Sequence, residues 1–241
     1  MFRASVAALL VSLGTAFAAD IEVRSAYLPA HMTRAGEGRE ARIIREVLEE
    51  CGHRVRFIVE PFTRHWKSYE FGQGDAVSTV PAGLGLPGAE TMDYIAFQNG
   101  VSVLKSSGRA VSSLDDLARL DVIAFSGATD ILPGLKDAVE TFGSYREVTN
   151  QIVQSRLLFA GRADAVIADG MIFAAYNEQL RRLDPASIPF DAHQDVVFFR
   201  LFAPSPFRML FRDSALAGDF DRCFLFDENG CPVNPLDNNA N

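Results

Sequence analysis

Two short stretches carry residue types able to hold a small charged molecule. Ser126-Gly127-Ala128-Thr129 follows the apolar run Val122–Phe125 and leads toward a helix. Its free backbone N–H groups and two hydroxyls can hold a carboxylate, or Ser126 and Thr129 serve only as caps of their own helix. Asp169-Gly170 follows the strand-like run Ala163–Ala168. That puts a carboxylate at a strand end, suited to an ammonium or a hydroxyl, or equally to capping the helix that begins near Met171.

Enzyme motifs are mostly missing. There is no His-Glu-x-x-His, Gly-x-Ser-x-Gly, Walker lysine loop or Cys-x-x-Cys. His31, His53, His65 and His193 have no metal-ligand spacing and read as ordinary surface or core residues. Gly83-Leu-Gly85-Leu-Pro87-Gly88 matches a dinucleotide fingerprint on paper, but Pro87 falls where the helix interior would lie, so it reads as a loop. No cofactor, metal or catalytic residue is expected.

The 241 residues carry a net charge of −8, with 48% hydrophobic and 22% charged residues. That excludes wholesale disorder and the basic face of a nucleic-acid binder. Met1–Ala18 reads as a secretory signal: Arg3, an apolar stretch Ala4–Leu13, then small residues at Ala16 and Ala18. The stretch is too short to span a bilayer. The expected product is exported, soluble and not lipid-anchored. In an oxidising compartment the three cysteines matter. Asp227-Glu228-Asn229-Gly230 is a turn signal between Cys223 and Cys231, which predicts a bridge between those two and leaves Cys51 as a buried free thiol. The Asn/Asp-rich tail from Val233 is expected to be disordered.

These residues need elements to position them. The chain alternates strand-like and helix-like segments. Ile21–Tyr27, His53–Glu60, Asp75–Val80, Val122–Phe125, Glu147–Thr149 and Ala163–Ala168 read as strands. Glu40–Cys51, Arg64–Phe71, Leu132–Phe142, Ile152–Ala160 and Met171–Leu183 read as helices. Ser113 opens another helix, with Asp116 as its capping-box partner. A weak repeat is present: a helix, a glycine break, then Asp-Ala-Val opening a strand, at Asp75 and again at Asp164. Two similar α/β lobes with a cleft between them would explain it. Ligands of open α/β sheets sit beyond the carboxyl ends of strands, which marks Tyr27, Thr79 to Ala82, Ser126 to Thr129, and Asp169.

The order of these features resembles the family 3 extracellular solute-binding proteins, the periplasmic amino-acid-binding components of ABC importers. The similar stretches are Ile21–Pro29, Glu40–Arg56, Gly74–Val80, Ser113–Thr129, Gly161–Asp169 and Phe211–Phe220, nearly the whole chain beyond the signal. The resemblance implies a type II periplasmic-binding-protein-like α/β fold, two lobes joined by two crossing strands. Lobe one would take residues 19–98 and 206–241, and lobe two 99–205. Tyr27 then looks like the aromatic stacked on the ligand. Thr79, Val80 and Ala82 fall where lobe one offers backbone and hydroxyl contacts. Ser126, Gly127 and Thr129 resemble the carboxylate loop of lobe two, and Asp169 the acid that takes the amino group.

One departure matters. Family members usually carry an arginine after the third strand, which clamps the ligand carboxylate. Here the segment Pro81–Glu90 has no basic residue. Removing such a charged partner costs several kcal/mol, on the order of 2–5. Arg64 could supply the charge from another direction, or be a solvated surface residue. The implied function is capture of a small polar solute, amino-acid-like or another small organic molecule, by a periplasmic monomer that hands it to an ABC permease. A sensor or accessory protein docking a membrane or periplasmic partner, and a cyclohexadienyl dehydratase-like enzyme, are the alternatives.

Overall fold

A computed structural model of the chain describes residues 19–225. The expected signal Met1–Ala18, Cys231 and the tail lie outside the described residues. The first half of the chain runs β1 (Asp20–Ala26), α1 (Arg39–Glu50), β2 (Arg54–Glu60), α2 (Arg64–Glu70), β3 (Ala76–Val80), β4 (Ala89–Glu90) and β5 (Ile95–Phe97). It continues through β6 (Asn99–Leu104), β7 (Asp121–Phe125), α3 (Ala128–Ile131), α4 (Leu135–Ala138), β8 (Ser144–Val148), α5 (Ile152–Phe159), β9 (Ala165–Asp169), α6 (Gly170–Arg181) and β10 (Val196–Phe199). It ends with β11 (Ser205–Phe211) and α7 (Ser214–Leu225).

The strands form two separate sheets. One has the order β2-β1-β3-β11-β4 with β5 paired to β11; the other is β10-β6-β9-β7-β8. The two Asp-Ala-Val segments open β3 in the first sheet and β9 in the second, each beside a parallel neighbour. The two aspartates do the same work. Asp75 Oδ2 accepts the Glu22 N–H at 2.8 Å, and the Asp75 N–H returns to the Glu22 carbonyl. Asp164 Oδ2 accepts the Asp121 N–H at 3.0 Å, and the Asp164 N–H returns to the Asp121 carbonyl. Each fastens the start of one central strand to the start of its neighbour, so the sequence repeat is a structural one.

Apolar spacing builds the helices that cover these sheets. In α1, Ala41, Ile44, Val47 and Leu48 recur every three or four residues and are buried. Gly38, at φ 117°, precedes this helix; a Cβ there would lie 2.6 Å from the His31 carbonyl oxygen, so only glycine permits the approach. α5 and α6 pack on each other and on β6 and β9.

The sheets are linked twice. The chain passes from β5 to β6 through Gln98, and returns from β10 to β11 through residues 200–204. β5 pairs antiparallel with β11 on one side and β6 with β10 on the other, so the crossing segments run side by side. Gln98 donates to the Phe202 carbonyl at 2.9 Å and Asn99 to Ser205 Oγ at 3.2 Å.

Three expectations change. The Leu132–Phe142 helix is broken: Pro133-Gly134 separate α3 from a short α4, followed by a 3-10 turn to Thr141. The helix expected from Ser113 is only a 3-10 turn, Leu114–Leu117, although its capping box forms. The cysteine pairing is different: Cys51 bonds Cys223 across a Cα–Cα distance of 5.9 Å. Cys51 is therefore no free thiol, and Cys223 does not pair with Cys231. The reason is helical geometry. Cys223 lies one turn beyond Phe220 on the buried face of α7, and that face packs on α1, whose C-cap is Cys51. No helix among the described residues is long and apolar enough to cross a membrane.

Candidate functional site

The two lobes meet along the carboxyl ends of β1, β7 and β9. Tyr27, just after β1, receives a hydrogen bond on its hydroxyl from Gln179 Nε2 of α6 at 3.2 Å and meets the Tyr176 ring edge-on at 6.3 Å. The Arg34 guanidinium stacks over the Tyr27 ring at 4.6 Å. Tyr27 is thus the aromatic of the lobe contact, its ring already engaged by the chain itself.

Asp169 is engaged by the chain through one carboxylate oxygen. Its Oδ1 accepts the Met171 and Ile172 N–H groups at 2.9 and 3.0 Å, as the N-cap of α6, and lies 3.4 Å from His31 Nε2. His31 is fully buried and stacks on Phe97 with ring centroids 4.2 Å apart. Of the two roles left open for Asp169, the helix cap is formed, and the same oxygen meets the opposite lobe.

The loop Ser126–Thr129 also holds a carboxylate, but the chain supplies it. Glu147, on β8, accepts the Gly127 N–H at 2.6 Å, the Thr129 N–H and hydroxyl at 3.0 Å each, and the Tyr145 hydroxyl at 2.9 Å. Burial alone would push the Glu147 carboxyl up, but these hydrogen bonds outweigh it and hold it below the usual carboxylate range. Ser126 donates its N–H to the Val148 carbonyl at 3.1 Å.

Thr79 and Val80 face the interior of lobe one. The register between β3 and β11 shifts here, and Thr79 adopts φ 57°, rare for a β-branched residue. The shift turns its hydroxyl onto Glu40 Oε1 at 2.7 Å. Glu40 is completely buried, also accepts the Tyr94 hydroxyl, and leaves Oε2 without a partner. Burial pushes its carboxyl up; the bonds from Tyr94 and Thr79 and the nearby His31 pull the other way without cancelling it. Val80 packs with Tyr69, Val77 and Leu210. Arg64 begins α2 and is exposed.

The interior of the cleft is mostly apolar, with three polar side chains, and nearly closed. Phe62 and Phe125 meet edge-on from opposite lobes at 6.3 Å. With Phe97, Phe207, Leu28, Ile131 and Ile172, and with the polar Asn99, Gln151 and Asp169, they leave a void of about 20 Å³. Small-molecule pockets are typically about 300–1,000 Å³, so this void holds about one water. The usable space lies further out. A cavity of about 460 Å³ opens at the lip of the cleft. Its walls are Trp66, the loop Pro81–Leu84, which includes Ala82, the loop around Asp130 to Pro133, and the returning segment Ala203–Phe207. Of the nine ligand-contact candidates, Ala82 and Gly127 line this mouth, Tyr27 and Asp169 lie in the lobe contact, and Ser126 and Thr129 belong to the loop filled by Glu147. Thr79, Val80 and Arg64 are not brought to the cleft.

The sequence reading missed His31, Arg39, the four cleft phenylalanines and Trp66. Arg39 is half-buried, donates to the Ala96 carbonyl at 3.4 Å and lies in the field of Asp169. No spacing signal marks these residues, because phenylalanine at a strand end looks the same whether it fills a core or a cleft.

The architecture matches solved structures. An ancestral arginine-binding protein bound to arginine superposes with a TM-score of 0.67 at 18% identity, over 85% of this chain and 90% of that one. The GluR0 ligand-binding core in complex with L-glutamate gives 0.65 at 18% identity, over 88% and 92%. A histidine kinase sensor domain with similarity to periplasmic binding proteins gives 0.66 at 15% identity, over 85% and 88%. The fold is the two-lobe periplasmic-binding-protein fold. No protein-family model and no curated protein sequence matches the chain.

Proposed function

We propose that this protein reversibly captures a small organic solute at the lip of its interlobe cleft, with the lobes moving about the two crossing segments. The 460 Å³ cavity carries the reading, because its walls come from α2 and the loop after β3, from the loop and α3 after β7, and from the returning segment together. A solute held there touches everything that changes when the lobes move, so it binds one arrangement better than another. On this reading the lobes divide as 19–98 with 206–241, and 99–205. The compartment is the periplasm, and the receiver of the solute is an ABC permease.

A second reading is favoured by the self-filled interior. The Tyr27 hydroxyl, Asp169 Oδ1 and the N–H groups of Gly127 and Thr129 are all engaged by the chain's own groups. A protein whose lobes hold together without a ligand can serve as a docking or sensor module. Melting temperatures of the mature protein across a broad metabolite library separate the two. A solute binder gains stability as ligand concentration rises. A docking module ignores the whole library, and that result would retire the capture reading.

A further inference from the structure

The mouth cavity has a chemical bias. Among its walls there is no basic residue. The Gly127 and Thr129 N–H groups, which could otherwise hold a carboxylate, are consumed by Glu147. Arg39 is spent on the Ala96 carbonyl and the field of Asp169, and Arg64 lies outside the lining. A carboxylate entering the mouth would lose water and gain no cation from its walls.

The reverse holds for a cation. Asp130 stands at the rim, and its carboxylate has no ion pair or side-chain hydrogen bond among the described residues. From lobe one, Trp66 also lines the cavity. Pro81, Pro133, Pro204 and Pro206 supply flat apolar walls around it. Indole faces and proline rings suit a planar apolar body, and an indole face also attracts a cation.

We infer that the mouth selects an organic cation with a flat apolar body and no carboxylate, Asp130 taking the charge and Trp66 with the prolines taking the body. This rests on the solute-capture reading and narrows it to one class of ligand.

Matched pairs test it: tryptophan against tryptamine, phenylalanine against phenethylamine, and arginine against agmatine, titrated calorimetrically into the mature protein. The expected result is that the two aromatic amines bind at least about tenfold tighter than their parent amino acids. Asp130→Asn should weaken amine binding about tenfold, with the ligand-free melting temperature reporting that the variant folds. Trp66→Phe should weaken it less, because a ring remains. Parent amino acids binding as tightly as the amines would overturn the inference while leaving solute capture intact. So would a library compound of another class that binds independently of Asp130. If no compound stabilises the protein, the capture reading itself falls and takes this inference with it.

Discussion

His31 Nε2 lies 3.4 Å from Asp169 Oδ1, and the two residues belong to opposite lobes. The same carboxylate oxygen caps α6 through two backbone N–H groups. Asp169→Ala therefore removes a cap, worth about 1 kcal/mol, and leaves a buried imidazole without its partner, about 1–3 kcal/mol more. Asp169→Asn keeps an acceptor oxygen for the cap and should cost about 1 kcal/mol or less. Urea denaturation of both variants checks this. Equal losses for Asn and Ala would mean that the carbonyl-type acceptor contributes nothing.

The Cys51–Cys223 bridge spans 172 residues of sequence. In the chain-entropy model a loop of that length stabilises by about 5 kcal/mol, and measured bridges commonly give about 2–4. Cys51→Ser with Cys223→Ser should lower unfolding free energy by about 2–5 kcal/mol. Thiol titration of the denatured, unreduced wild type should find one free thiol, Cys231. Three free thiols, or none, would contradict the pairing.

Glu40 gives a pH dependence with a definite sign. Its folded carboxyl titrates above the ordinary value of 4.5 because burial disfavours the anion. The folded state therefore holds the proton more tightly than the unfolded chain. The stability it contributes is complete below pH 4.5 and is lost as pH rises through the folded value. Glu40→Gln keeps an acceptor for Thr79 and Tyr94 and removes the titration. The variant's stability relative to wild type should grow from pH 4 to pH 9 in parallel urea series. Two parallel curves would show that Glu40 does not titrate in this way.

Glu147 should behave oppositely. Its folded carboxyl is held below 4.5, so its contribution is present above that pH and fades as pH falls through the folded value. Glu147→Ala frees the N–H groups of Gly127 and Thr129 and should loosen the loop leading into α3. Hydrogen exchange at those two amides should quicken by at least tenfold, and the acid-side loss of stability should flatten. Unchanged exchange in the variant would mean that the loop is held by its other contacts.

The fold was legible because it is written in repeated local patterns. The Asp-Ala-Val openings, the glycine breaks and the 3.6-residue stripe of α1 each depend on neighbours a few residues apart. β10 was missed because Val196-Val-Phe-Phe199 is a short apolar run without alternation. The site was half legible. Asp169 does sit at a strand end, and Thr129 in the short helix after one, but whether such a group is free depends on what the fold brings opposite. His31 is 138 residues from Asp169, and Glu147 is 18 from Thr129 on another strand. The cysteine pairing failed similarly: a nearby turn is visible in sequence, and a helix face 172 residues away is not.

β11 lies between β3 and β4 in the first sheet, whereas every strand of the second sheet falls between Asn99 and Phe199. Chain order therefore imposes an order of assembly. As the polypeptide is made, the second lobe has all its strands once Phe199 has emerged, and it can close its core alone. The first lobe, begun earlier, must wait with β3 unpaired on one side until Phe211 arrives. During that interval β3, whose five residues are all buried in the finished sheet, is an open edge with three apolar side chains, Ala76, Val77 and Val80. The lobe that starts first finishes last, and a chaperone guarding the nascent chain would find its main client between Ala76 and Val80.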